Sequence, residues 1–168
     1  PLEGDLAHKD SMGNTEVIKF GDVQVMSAGT GIQHSEFNGS STEAVNLLQI
    51  WVFPKERNIE PRYDQIHYDL KKVNNSFLTV VSPIEGDNMM WINQDAFFSL
   101  GTFDADSKAS YKIQHPGNGA YVFFIEGQGV LDDTVLEHRD AVGVYDIEEL
   151  EIDFKKNSKV LIIEIPMQ

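Results

Sequence analysis

His34 and Glu36 are the residues of this chain whose type and spacing point most directly to chemistry. They close the stretch 21–36, which opens with the Gly21-Asp22 turn and runs into an alternating strand, Val23 and Val25 against Gln24. Gly29 and Gly31 then bend the backbone, bringing the next strand across. Side chains alternate faces along an extended segment, so His34 and Glu36 point one way and Ser35 the other. An imidazole and a carboxylate projecting together are two ligands of the kind that suit non-haem iron, zinc or manganese. The same pattern also describes a polar strand end at the surface, because H-x-E is short and common.

The elements that must position this pair are strands. Short β-branched or aromatic runs recur at 17–20, 23–26, 47–53, 77–81, 96–103, 121–125, 141–145, 150–154 and 160–165. Turn-forming clusters separate them, among them Gly13-Asn14, Gly39-Ser40-Ser41, Gly86-Asp87-Asn88 and 116–119. Leu150-Glu151-Ile152-Asp153-Phe154 alternates without a break, which predicts one buried and one wet face. Residues 47–53 and 160–165 are nearly all apolar, as strands covered on both faces would be. No stretch keeps a helical period. The spacing predicts an all-β sandwich or barrel.

Composition narrows the function. The formal charge is −14, and both parts of the chain are acidic: three Lys/Arg against eight Asp/Glu in residues 1–56, ten against nineteen in the rest. Such a surface repels a phosphate backbone, so no nucleic-acid partner is expected. Cysteine is absent, which excludes disulfides, thiolate metal sites and a cysteine nucleophile. No apolar run approaches a membrane span, so no membrane partner is expected and the default location is cytoplasmic. The chain carries no P-loop, no dinucleotide-binding glycine fingerprint, no H-E-x-x-H and no G-x-S-x-G.

Several spaced motifs together resemble the pirin family: residues 2–14 (Leu-Glu-Gly-Asp-Leu-Ala-His-Lys-Asp-Ser-Met-Gly-Asn), Gly21-Asp22-Val23-Gln24, residues 27–36, Leu48-Gln49-Ile50-Trp51-Val52 and Glu60-Pro61-Arg62-Tyr63. The resemblance is dense over residues 2 to 65 and thinner beyond. It implies two tandem cupin barrels, each a double-stranded β-helix or sandwich, and, for some members, quercetin 2,3-dioxygenase activity. It implies a divalent metal, Fe(II) foremost, held by an H-x-H strand and a later H-x-E strand. His34 and Glu36 fall on the second pair as metal ligands, and Glu36 is the catalytic candidate. The family's H-x-H precedes the Glu-Gly that here is Glu3-Gly4, and no H-x-H occurs among His8, His34, His67, His115 and His138. The chain is therefore expected to hold half of the site, with the first barrel incomplete.

On this reading residues 1–56 are the later part of the first barrel, 57–75 a linker, and 76–168 a second barrel. A weak repeat supports the division: Leu2-Glu3-Gly4 matches Ile125-Glu126-Gly127, and Gly21-Asp22-Val23 matches Arg139-Asp140-Ala141. Counted from that repeat, the second barrel's ligand positions hold Ile113, His115 and Gly119, with Ile152 and Phe154 in place of the H-x-E pair. It is expected to bind no metal.

The remaining candidates carry less. His8 reads as a turn histidine before it reads as a pocket group, and Asp10 and Ser11 beside Gly13-Asn14 read as turn chemistry. His115 is a loop residue, and His67 and His138 face solvent. Met89-Met90-Trp91 is packing, and Arg62 and Tyr63 are assigned to docking one barrel on the other. Two functions follow. The first is a metal-dependent dioxygenase acting on a small aromatic, flavonol-like substrate. The second is a non-enzymatic cupin that binds a regulatory protein partner. An incomplete barrel would also expose strand edges, which predicts a homodimer through that face.

Overall fold

The computed structural model describes residues 1–86 and 88–167, so Asp87 of the Gly86–Asn88 turn cluster lies outside the described residues. In chain order the strands are β1 (Leu6–Asp10), β2 (Thr15–Ile18), β3 (Asp22–Ser27), β4 (His34–Asn38), β5 (Arg62–His67), β6 (Ser76–Ser82), β7 (Met90–Trp91) and β8 (Phe97–Phe103). They continue as β9 (Ser107–Lys112), β10 (Asn118–Glu126), β11 (Gly129–Leu131), β12 (Thr134–Leu136), β13 (Ala141–Val144), β14 (Glu149–Phe154) and β15 (Ser158–Pro166). A single 3-10 turn, Leu70–Lys72, interrupts this pattern among the described residues. The all-β class read from the spacing of apolar runs is the class observed. Among the described residues no helix is long and apolar enough to cross a membrane.

The chain divides into two compact units, Pro1–Asp69 with Ile84–Gln94, and Leu70–Pro83 with Asp95–Gln168. In the second unit one sheet runs in the order β13-β10-β15-β8-β6 and the other β12-β11-β14-β9. Both contribute to one core. Phe103, Val122, Phe124, Val160 and Ile162 come from the first sheet, and Tyr111, Leu131, Leu150, Ile152 and Phe154 from the second. The alternation read in 150–154 is the observed exposed-buried alternation of β14. Its Phe154 stacks on Phe103 with ring centroids 3.7 Å apart and planes 8° from parallel. Burying one such ring contributes about 2–3 kcal/mol, so the two sheets are held by a few large side chains.

The first unit is built from shorter pieces. A three-stranded antiparallel sheet runs β2-β1-β4, and β3 pairs with β5. Leu6, His8 and Asp10, the alternate residues of β1, are buried together with Ile18 of β2. Between β3 and β4 the chain turns as the two glycines predict. Gly29 sits at φ +53 with the Ile59 carbonyl where a Cβ would be, so a larger residue would collide there. Residues 62–67, inside the stretch read as a linker, form β5 in register with β3.

One strand expectation fails. Residues 47–53 form no strand: the chain makes an isolated bridge from Glu3 to Asn46 and then runs irregularly. Trp51 is 90% exposed and Phe53 92%. An all-apolar strand needs cover on both faces and a partner edge. The sheet of this unit ends at β4, and no described strand pairs beyond it.

The repeat has a structural counterpart. Gly4 and Gly127 both take left-handed backbone, at φ +72 and +81, and each leads into an antiparallel strand pair. The order β2-β1-β4 in the first unit matches β12-β11-β14 in the second. Aligned on those glycines, His8 opposite Glu36 corresponds to Leu131 opposite Ile152. The counterparts of His34 and Glu36 are thus Leu150 and Ile152, two residues before the Ile152 and Phe154 obtained by counting. A count drifts with loop length, whereas strand pairing does not. The face is unchanged, and these positions too are apolar and buried.

Candidate metal centre

The β1–β4 register brings the candidate residues together. In an antiparallel pair directly opposed residues share a face. His8 opposes Glu36, and Asp10 opposes His34. The four therefore project from the same side of the sheet, the side that also buries Leu6. His34 and Glu36 share one face as the two-residue spacing requires. His34 is exposed and Glu36 half-buried.

His8 is the residue that local sequence undervalues. In Ala-His-Lys-Asp it reads as a turn, yet it lies mid-strand and is 1% exposed. Its Nε2 is 3.3 Å from Asp10 Oδ2. An ionised carboxylate only accepts, so Nε2 carries the proton in this pair. That leaves Nδ1, buried and without a hydrogen-bond partner, 3.7 Å from Glu36 Oε1. The Tyr63 ring stacks on the imidazole at 4.6 Å between centroids, and the His34 ring lies 5.8 Å away. Tyr63, assigned from sequence to inter-barrel docking, is part of this cluster. A period-two reading of 6–10 that placed Leu6, His8 and Asp10 on one face was the signal available for His8.

Asp10 holds both the imidazole and the turn that follows. Its carboxylate accepts from the Met12 and Asn14 backbone amides and from Asn14 Nδ2. Burial favours the neutral acid, but the hydrogen bonds from Asn14, His8 and Met12 outweigh it and lower the pKa to about 2. The turn chemistry expected of Asp10 and Gly13-Asn14 is thus present and serves the cluster. Burial first, and then the carboxylates of Glu16, Asp10, Asp22 and Glu36, push the Tyr63 hydroxyl up to about 12. It is a neutral hydrogen-bond group, donating to Gln65 Oε1 at 2.9 Å. Glu36 is steadied on its other oxygen by Gln49 Nε2 at 3.3 Å.

The donors suit a divalent cation in kind: a buried imidazole nitrogen with no partner, a facing carboxylate and a second imidazole. A ring nitrogen anchored to a carboxylate on its far side is how metal-site histidines are oriented. In number they fall short, since no group of three or more His, Cys, Asp or Glu stands close enough among the described residues to hold an ion alone.

The other candidates lie elsewhere. His67 is exposed and bonds Asp22 at 2.7 Å. His138 is exposed, and His115 sits in a loop where its backbone amide donates to Glu164. Met90 is fully buried, and the Arg62 guanidinium lies 4.8 Å over the Trp91 ring. Gly119 lies in β10.

The chain resembles known proteins over nearly its whole length. Residues 2–52 match the family described as Pirin, and residues 79–165 match the Quercetinase C-terminal cupin domain. A quercetin 2,3-dioxygenase of Escherichia coli is 33% identical over 165 residues, covering 98% of this chain and 70% of that protein. The crystal structure of YhhW from Escherichia coli superposes with a TM-score of 0.91 at 32% identity, covering 99% of this chain and 69% of that one. The bacterial pirin YhhW in complex with nickel(II) gives 0.90 at 31% identity, over 99% and 70%.

Proposed function

Because the chain belongs to the pirin family of cupin proteins, we propose that it acts as a metal-dependent dioxygenase on a small aromatic, flavonol-like substrate. The observation that carries this reading is the shared face of His34, Glu36 and the buried His8, whose Nδ1 has no hydrogen-bond partner. His34 and Glu36 would hold the metal, completing a set begun by the family's H-x-H strand. Fe(II) is the first choice; the relative whose structure contains nickel(II) supports a divalent ion more generally.

When bound, the metal supplies Lewis acidity and redox capacity toward dioxygen. The protein's own groups do the rest. His34 and Glu36 fix the ion's place, and the Glu36 carboxylate lowers its net charge. A Glu36 oxygen is the acceptor for the proton of a flavonol hydroxyl, which makes Glu36 the catalytic residue. The Tyr63 ring shields one face of His8 from water. The first unit, Pro1–Asp69 with Ile84–Gln94, would then be the later part of a metal-bearing barrel, and Leu70–Pro83 with Asp95–Gln168 a barrel without metal ligands. A cytoplasmic location is the default within this reading. Self-association through the uncovered 47–53 run fits its exposure.

The test is oxygen consumption with quercetin by the metal-loaded intact protein, compared with Glu36→Gln and a metal-free control. Consumption lost in the variant supports the reading. A second reading, a non-enzymatic module for a protein partner, is favoured by the small number of ligands grouped here. It predicts no consumption above the metal-free control.

A further inference from the structure

Two motifs of the sequence supply no metal ligand: the Gly21-Asp22 turn and the run that ends in Tyr63. The structure ties them together. Asp22 opposes His67 and Met26 opposes Tyr63 in the β3–β5 register, and Tyr63, Gln65 and His67 are alternate residues of β5. All of them therefore share one face. Asp22 Oδ2 accepts from Gln65 Nε2 at 2.9 Å and from the Lys19 amide at 2.8 Å, while Oδ1 accepts from His67 Nδ1 at 2.7 Å. The Asp22 side chain is 8% exposed and that of His67 66%. Gly21 makes room for this pair. At φ +89, a Cβ there would stand 2.9 Å from both His67 Cε1 and the Tyr68 carbonyl oxygen.

The charge on Asp22 gives this chain of bonds a direction. An ionised carboxylate only accepts, so the Gln65 amide must present Nε2 to Asp22. The same Nε2 also donates to the Val17 carbonyl of β2 at 3.3 Å. Gln65 Oε1 is thereby turned to Tyr63, whose hydroxyl donates to it at 2.9 Å. Burial and the surrounding carboxylates keep that hydroxyl protonated, so it has a proton to give. At the far end, the Tyr63 ring stacks on the His8 imidazole at 4.6 Å between centroids, with the planes 28° apart. The bond from His8 Nε2 to Asp10 sets which edge of the imidazole faces Asp10. It tolerates rocking of the ring plane, which a stacked aromatic ring limits.

We propose that Asp22, Gln65 and Tyr63 are positioning residues that hold the His8 imidazole with Nδ1 toward Glu36. Asp22 fixes the Gln65 amide, Gln65 fixes the Tyr63 hydroxyl, and the tilt of the Tyr63 ring sets the plane of His8. The place of His8 behind a metal rests on the reading of His34 and Glu36 as ligands; the hold on the imidazole does not. Groups that orient a metal site from behind its ligands change metal affinity about 10–100-fold. Here that influence begins at Asp22, with the side chains of Gln65 and Tyr63 between it and His8.

The test is proton NMR of the His8 ring in the metal-free full chain, with a nickel(II) titration alongside, in wild type, Gln65→Leu, Asp22→Asn and His67→Gln. Gln65→Leu keeps both rings and removes the tether. It should shift and broaden the His8 ring resonances, which sense the Tyr63 ring current, and weaken nickel(II) about tenfold. Asp22→Asn, whose amide can meet Gln65 in either orientation, should do the same in smaller measure. His67→Gln acts on the other Asp22 oxygen and should change neither readout. Unmoved His8 resonances in Gln65→Leu and Asp22→Asn, or an equal response in His67→Gln, would overturn the proposal. Tyr63→Phe loses only the hydroxyl and should shift the His8 resonances likewise, so it decides the matter if Gln65→Leu does not fold. The spectrum is read without metal, so it judges the positioning even where the titration refutes His34 and Glu36 as ligands.

Discussion

His8 Nδ1 and Glu36 Oε1 face one another across the β1–β4 pair at 3.7 Å, one a buried nitrogen without a hydrogen-bond partner, the other a half-exposed carboxylate oxygen. With Nε2 turned to Asp10, a bare Nδ1 lone pair and an anionic oxygen repel unless a positive charge lies between them. A proton or a cation meets that need. The pair therefore predicts that substitutions at His8 are felt at Glu36. His8→Leu, which keeps apolar packing, should weaken divalent-metal binding by about 10–100-fold, as removal of groups behind metal ligands does. His8→Asn, which retains a polar group near the Nδ1 position, should recover part of it. Isothermal titration with nickel(II) checks both.

Asp10 should set an acid limit on the first unit. Its folded pKa of about 2 lies below the ordinary 3.8. The folded state thus favours the ionised form. That contribution is fully present above about pH 4 and is lost as pH falls through about 2. Urea midpoints followed from pH 5 to pH 2 should fall in the wild type and flatten over this window in Asp10→Asn. Parallel slopes in the two proteins would show that the carboxylate is not held as described.

The exposed run and the core should respond in opposite ways. Phe154→Ala opens a cavity beside Phe103 and should cost about 3–5 kcal/mol. Trp51→Ser and Phe53→Ser lie on an irregular, solvent-facing segment and should change stability by less than about 0.5 kcal/mol, while reducing self-association. Denaturant midpoints and sedimentation velocity read the two effects separately.

Glu164 should behave as a structural anion. Glu164→Leu leaves the Gln114 and His115 amides and Asn118 Nδ2, which donate to its buried carboxylate, facing an apolar side chain, at a cost of about 1–3 kcal/mol for each donor left buried and unpaired. Thermal unfolding with amide exchange across 113–118 measures this. Protection retained there in the variant would mean that the loop is held by other bonds.

How far the sequence reveals this arrangement depends on whether the relevant contact is local. The 150–154 strand is legible because each residue alternates, and the shared face of His34 and Glu36 because they lie two apart. His8 is not. Its burial comes from β4 and from Tyr63, 55 positions downstream, and the period-two pattern of Leu6, His8 and Asp10 marks a shared face without showing what covers it. The 47–53 run misleads for the reverse reason: its residues are right for a buried strand, but a strand also needs partners, which composition does not supply. The Leu150 and Ile152 counterparts needed strand pairing to locate, since counting residues through loops of unequal length slips the register.

The most direct test of the metal reading is the metal content of the intact protein, reconstituted with Fe(II) or nickel(II), against His34→Ala and Glu36→Ala. Binding near one equivalent in the wild type and its loss in both variants is the predicted result. Equal metal content in all three proteins would contradict it, placing the ion away from the β1–β4 face.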